Sequence, residues 1–255
     1  MNVTAIDWVI LWPACVAGLL ITATHVPLGV QVLNRGIVFI DLAIAQIAGL
    51  GVVVADWMGL EAHGWEVQIC ALTAALAGAL LLTWTEKRWP EVQEAMIGVT
   101  FVLAASAALL FLAANPHGGE HLKELLVGQI LWVTPAQLLP VGIAYAVLLA
   151  VMLMRNMAAE RVLFYVVFAC AVTVSVQLVG LYLVFTTLIV PALATRRLAR
   201  HRLAAAYILS GAGYLAGLIL SAVTDLPTGP AIVCVMTLLA IPVFALASGT
   251  PRRAA

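Results

Sequence analysis

Asp41 lies in Ile40-Asp41-Leu42-Ala43-Ile44-Ala45-Gln46, a few residues inside an apolar run that follows the polar loop Asn34-Arg35-Gly36. An acid in such a run is costly and marks a cation path, a proton relay or an ion pair. Two readings of Asp41 stay open: a group lining a path, or a carboxylate paired with Arg35 or a neighbouring helix. Gln46 sits five residues on, and at about 100° per residue it falls well off the Asp41 face. Its amide can bond to a passing ion or to another helix. His25, in Thr22-Ala23-Thr24-His25-Val26-Pro27, offers an imidazole, the commonest side-chain ligand for first-row metals. It also reads as a packed histidine with satisfied nitrogens. Pro27 frees a backbone carbonyl one turn earlier, a break of the sort that lines cavities.

Other polar groups read more plainly. His117, Glu120, His121 and Glu124 share a loop with Gly118-Gly119, which works against placing both histidines on one helix. They read as solvated, as do His63, Glu61 and Glu66. Cys15, Cys70, Cys170 and Cys234 are far apart and each lies in an apolar run. They are expected as small buried residues, not as a disulfide framework or zinc site. No Gly-Lys pair exists, so there is no P-loop, and HExxH and G-x-S-x-G are absent too. The run Pro191-Ala-Leu-Ala-Thr-Arg-Arg-Leu-Ala-Arg-His-Arg-Leu203 leaves an apolar stretch into the densest basic segment of the chain. As a short helix it would place Arg196 and Arg200 on one face. It reads either as an anchor on anionic lipid or as a docking helix for a partner.

The elements that hold these residues follow from composition. Of 255 residues, 64% are apolar and 9% are charged, against about a quarter charged in soluble domains; the mean hydropathy is +1.12. A soluble fold of this size cannot cover so much apolar surface. Soluble enzymes, nucleic-acid binders and disordered chains are excluded. Helices are the solution for long apolar segments in lipid, and the expected architecture is a single all-α polytopic bundle of about eight or nine spans. The spans are read at 8–30, 36–55, 67–84, 95–114, 136–154, 162–177, 179–194, 203–222 and 229–248. Val162 to Thr195 is too long for one crossing and is expected to turn near Gln177–Gly180. Leu125–Val133 is too short to span and is expected as a re-entrant or interfacial helix.

Lys+Arg and Asp+Glu number 12 each, so the distribution of charge is informative where the total is not. Under these spans Arg35, Lys87, Arg88, Arg155, Arg161, Arg196, Arg197, Arg200, Arg202, Arg252 and Arg253 fall on one side, and Lys123 on the other. The positive-inside rule puts the N-terminus out and the C-terminus in the cytoplasm. The first residues, Met1 to Asp7, lack Lys and Arg, so no cleavable signal peptide is expected.

Four segments, in order from about residue 27 to 233, resemble the membrane subunits of bacterial ABC importers for zinc, manganese and iron. Pro27-Leu-Gly-Val-Gln-Val-Leu-Asn-Arg35 is similar to PLG-x-x-x-x-x-R, and Leu126-Val-Gly-Gln-Ile-Leu131 to LFG-x-IL. Leu178-Val-Gly through Pro191-Ala-Leu-Ala-Thr195 is similar to VVG-x-LLV-x-x-LLI-x-PAA-x-A, and Asp225-Leu-Pro-Thr-Gly-Pro-Ala-Ile-Val233 to DLP-x-G-x-x-IV. The resemblance implies a homodimeric, type II-like permease in the bacterial inner membrane. It implies two cytoplasmic ATPase subunits, an extracytoplasmic metal-binding protein, a divalent ion as cargo and no resident cofactor or catalysis in this chain. It makes Thr195, Arg196, Arg197, Arg200 and Arg202 the ATPase-coupling segment. The family's G-D-x-x-x-H, aligned without gaps from Arg35 to Gly51, meets Leu42 and Gln46 here; the acid stands at Asp41 and an amide replaces the imidazole. The expected path residues are then His25, Asp41, Gln46 and Asp225. The alternatives are an ion- or proton-coupled carrier, which calls for more intramembrane acids than Asp41, and a scaffold without transport.

Overall fold

The computed structural model describes residues 8–60, 64–112, 128, 130–157, 159–198 and 200–248. Among them are nine α-helices: α1 Trp8–Arg35, α2 Ile40–Trp57, α3 Trp65–Arg88, α4 Gln93–Leu112, α5 Pro135–Met154, α6 Arg161–Val179, α7 Leu181–Ala194, α8 Arg202–Thr224 and α9 Thr228–Ser248. No strand occurs among the described residues. Each expected span falls on one of these helices. Eight of them are long and apolar enough to cross a bilayer, and α7 is the shorter ninth. Its 14 residues rise about 21 Å, less than a hydrocarbon core of about 30 Å.

Close approaches fix how the helices run. Gly18 of α1 lies against the Tyr214 ring of α8, and four residues further along α1, Thr22 meets Ser210 of α8 at 2.9 Å. The two helices are therefore antiparallel. Gly213 and Gly217 of α8 receive Met236 and Ile232 of α9 in the same reversed order. Gly51 of α2 meets Cys70 and Ala71 of α3, while Gly78 of α3 meets Ile47. Small residues at these crossings let backbones approach, which is how helices associate when lipid removes the hydrophobic drive. The result places Arg35, Lys87, Arg88, Arg155, Arg161, Arg196, Arg197, Arg200 and Arg202 at one end of the bundle, as their charge implies. Lys123, Arg252 and Arg253 lie outside the described residues.

Between α6 and α7 the chain turns at Gly180, with φ 79° and ψ 163°, a conformation open to glycine. The expected turn at Gln177–Gly180 is therefore real, and α7 runs back toward the basic end. At Gly29 a Cβ would stand 1.8 Å from the Leu188 carbonyl oxygen, so the α1 and α7 backbones touch there. The segment expected as a re-entrant or interfacial helix at Leu125–Val133 is described only in part. Its described part contains a 3-10 turn, Ile130–Trp132, with Ile130 buried. Gly128 presses so closely on the elbow that a Cβ would lie 2.1 Å from the Val179 carbonyl carbon. Leu125–Val127 and Gln129 lie outside the described residues.

The main apolar cluster joins the central helices α1, α2, α6 and α7 through residues such as Leu28, Ile44, Phe168 and Leu188. Outward faces carry Leu110, Leu153 and Leu246, each more than three-quarters exposed, the inverse of a soluble surface and the mark of a lipid-facing one. The cysteines are free, and Cys234 is exposed while the other three are half-buried. The expectation of buried cysteines fails because an apolar run in lipid has an outer face as well as an inner one.

Candidate functional site

His25 is fully buried and its ring is bonded on both sides. Nδ1 lies 3.1 Å from the Ile21 carbonyl oxygen, which can only accept, so the neutral ring carries its proton there and leaves Nε2 as acceptor. Nε2 lies 3.0 Å from Ser175 Oγ of α6, and that hydroxyl in turn meets Tyr145 of α5. A metal at Nε2 would have to displace Ser175. Pro27 does free the carbonyl of Ala23, and Tyr207 of α8 donates to it at 3.1 Å. Neither Ser175, Tyr145 nor Tyr207 stands out in the sequence, because hydroxyls in apolar runs are common and only the packing pairs them.

Asp41 is also fully buried, in the first turn of α2. Its nearest donors are the backbone N–H groups of Asp41 and Leu42, and neither carboxylate oxygen has a partner of proper hydrogen-bond geometry. The pairing with Arg35 is not formed. Arg35 turns instead to Glu86 of α3 at 3.7 Å, to the Met157 carbonyl at 2.9 Å and to the face of Phe164, 4.4 Å away. Arg161 approaches the same Glu86 at 4.0 Å. A second carboxyl group, Glu94, stands at the start of α2 from the first turn of α4. Glu94 Oε1 accepts the Phe39 N–H at 3.3 Å, while its Oε2 is buried without a partner.

Above these two acids lies a cavity of about 200 Å³ between α2, α4, α6 and α7, lined by Gln46, Gly49, Phe101, Ala105, Val176 and Leu181 among others. Gln46 is the one side-chain amide of this lining, and the rest is apolar. The lining residues of α4, namely Phe101, Ala105, Ala108, Leu109 and Leu112, follow Glu94 at seven, eleven, fourteen, fifteen and eighteen positions, a single helix stripe. That spacing is the one signal in the sequence that points to Glu94.

The four expected path residues do not converge. Among the described residues no group of three or more His, Cys, Asp and Glu side chains is placed to share an ion. Asp225 is exposed at the other end, capping α8 with a positive φ of 55°. His63, His117, Glu120, His121 and Glu124 lie outside the described residues.

At the basic end, Thr195 is buried and donates to the Pro191 carbonyl at 2.8 Å. Arg196, Arg197 and Arg200 are exposed, and Arg196 stands 5.4 Å over the Phe244 ring. The described part of this run is turn and bend, not the expected short helix. Leu198 N–H donates three residues back to Thr195, and the left-handed His201, φ 58°, redirects the chain into α8. The elbow is tight because α7 and α8 both end there.

Comparisons with known proteins complete the description. The model of the ABC 3 transport family matches residues 7–159 and 156–247. The high-affinity zinc uptake system membrane protein ZnuB of Haemophilus influenzae is 24% identical over 246 residues, covering 88% of this chain and 92% of that protein. Among solved structures, PsaBC from Streptococcus pneumoniae in complex with Fab superposes with a TM-score of 0.72 at 18% identity, over 93% of this chain and 92% of the other. An inward-facing metal-chelate type ABC transporter gives 0.64 at 17% identity, over 92% and 84%.

Proposed function

Because the chain belongs to the ABC 3 transport family, we propose that it is the membrane-spanning permease subunit of an ATP-driven importer of divalent metal ions, of the zinc, manganese or iron class. It is a multi-pass inner-membrane protein of that family. The observation that carries the reading is the family match, which runs from residue 7 to 247. The zinc-uptake relative supports a metal as cargo. The same match speaks against a carrier of another kind and against a scaffold without transport.

In this reading two copies of the chain pair, and an extracytoplasmic binding protein delivers the ion at the Asp225 end. Cytoplasmic ATPase subunits engage the exposed elbow through Arg196, Arg197 and Arg200, with the half-buried Arg202 and the buried Thr195 behind them. The chain performs no covalent chemistry; it selects the ion and alternates its access between the two sides. His25, Asp41 and Gln46 are its path residues in the membrane. Asp41 is the strongest of them, since a buried carboxylate without partners gains most from a passing cation.

The experiment is metal analysis of cells lacking the protein, with tracer uptake of zinc, manganese and iron restored by the wild-type chain. Reduced content of one metal, recovered on complementation, is the expected result. Normal content of all three would overturn the assignment. Asp41→Asn is expected to impair uptake while the protein still inserts, and unchanged uptake removes Asp41 from the path.

A further inference from the structure

Two carboxyl groups, on α2 and α4, stand at the basic end of the bundle, and among the described residues neither forms an ion pair. Asp41 shows no exposed surface, and both of its oxygens lack a hydrogen-bond partner. Glu94 keeps Oε2 buried and likewise unpartnered. Its other oxygen is held by the Phe39 N–H, which points the group back toward the start of α2. Of the described arginines nearest in sequence, Arg35 is committed to Glu86, Met157 and Phe164, and Arg88 lies over the Trp89 ring.

Both acids also stand on faces that continue into the cavity. Ala45, one turn above Asp41, lines it, and so does the α4 stripe that begins at Glu94. From Glu94 to Phe101 the rise is about 10 Å. The cavity above is almost wholly apolar, so it offers an ion little reason to stop before the acids. Two anions packed in a low-dielectric site repel one another and lose their hydration; a cation between them relieves both costs.

We propose that Asp41 and Glu94 form a two-carboxylate cation station at the cytoplasmic floor of the α2–α4 cavity, and that its ligand is a hard, oxygen-preferring divalent ion of the manganese type. This rests on the permease reading and narrows it. Carboxylate oxygens suit manganese better than the softer metals, which favour imidazole and thiolate. His25, in the preceding helix α1, is already bonded to Ile21 and Ser175. The first-turn amides of α2 favour a negative charge at Asp41, and Glu94 completes the site from the adjacent helix.

The test measures Mn²⁺ binding to the full chain in lipid nanodiscs, by the electron paramagnetic resonance signal of the free ion. The wild type is expected to bind Mn²⁺, and Glu94→Gln to weaken that binding by about tenfold or more. Gln still accepts the Phe39 N–H, so the substitution removes charge without removing the contact, and an unchanged melting temperature confirms that the fold is intact. Glu94→Asp, which keeps the charge, is expected to retain most of the affinity. Wild-type affinity in Glu94→Gln, or no Mn²⁺ binding by the wild type, overturns the station. If cells expressing Glu94→Gln take up zinc or iron normally and neither protein binds Mn²⁺, the station falls while the permease reading stands. If the wild type restores no metal uptake at all, the permease reading falls and takes the station with it.

Discussion

The Tyr207 hydroxyl donates to the Ala23 carbonyl at 3.1 Å, and Ala23 is the acceptor that Pro27, four residues on, deprives of its helical N–H. A proline in α1 and a phenol in α8 thus form one unit. Proline removes the donor, and a neighbouring helix replaces it, as the absence of water in a bilayer requires.

Tyr207→Phe is expected to lower stability by about 1 kcal/mol, since a half-buried carbonyl loses its partner. In a Pro27→Ala background the residue at 27 supplies its own N–H and the same substitution should cost markedly less. Thermal unfolding of the two single variants and the double variant in detergent measures the coupling. Additive losses would show that Tyr207 stabilises α8 by packing alone.

The Gly29 crossing makes a sharper demand. A Cβ there would meet the Leu188 carbonyl oxygen at 1.8 Å, and a backbone atom cannot rotate away as a side chain can. Gly29→Ala is expected to separate α1 from α7 at a cost of about 3 kcal/mol or more, seen as loss of folded protein on size exclusion. Gly211, in the interior of α8, has open space where a methyl group would stand, with no atom within 4 Å. Gly211→Ala is expected to be neutral or to stabilise by about 0.5–1 kcal/mol. Equal behaviour of the two variants would contradict the close crossing.

These two positions also show what the sequence can convey. The spans are legible because lipid imposes apolar runs of fixed length, and the sidedness because Arg35, Arg155, Arg161 and Arg196 mark one end. The turn near Gly180 follows from Arg161 and Arg196 needing the same side. Relations across helices are what escape. Glu86 joins Arg35 to Arg161, and Ser175 lies between His25 and Tyr145, yet each is an ordinary polar residue within its own segment. Glu94 escapes because acids near helix N-termini are common; only the cavity stripe above it sets it apart. The helical spacing of Arg196 and Arg200 overstates a helix there, since the same spacing suits a turn as well.

Outside the membrane spans, Arg155 and Glu160 close the α5–α6 connection. The Arg155 guanidinium donates to Glu160 at 2.9 and 2.7 Å, and this hydrogen bonding holds the Glu160 carboxyl below its ordinary value. A carboxylate lowered in the folded state stabilises at pH above the unfolded value of about 4.3, and the contribution disappears as pH falls through the lower folded value. The pair is solvated and contributes little to overall stability, so the readout is the titration itself. In Arg155→Gln the Glu160 midpoint, followed by isotope-edited infrared spectroscopy, is expected to rise toward the ordinary value. An unmoved midpoint would mean that the bridge does not form in solution.

The last prediction concerns the basic elbow. Arg196 and Arg200 are exposed at the end shared by the other described arginines, while Thr195 beside them is buried and bonded to Pro191. A partner pressing on the arginines therefore acts directly on the end of α7, whose other end is the Gly180 elbow over which Gly128 is laid. Charge reversal at Arg196 and Arg200 leaves the buried Thr195 anchor in place, so membrane insertion and folding should persist. The proposed docking of an ATPase on the elbow should not. Co-purification with the proposed ATPase partner is expected to be lost in the Arg196→Glu, Arg200→Glu double variant and kept in a charge-conserving Arg196→Lys, Arg200→Lys control. If the reversed variant still captures the ATPase while losing affinity for anionic vesicles, the elbow is a lipid anchor, and coupling must enter the bundle elsewhere.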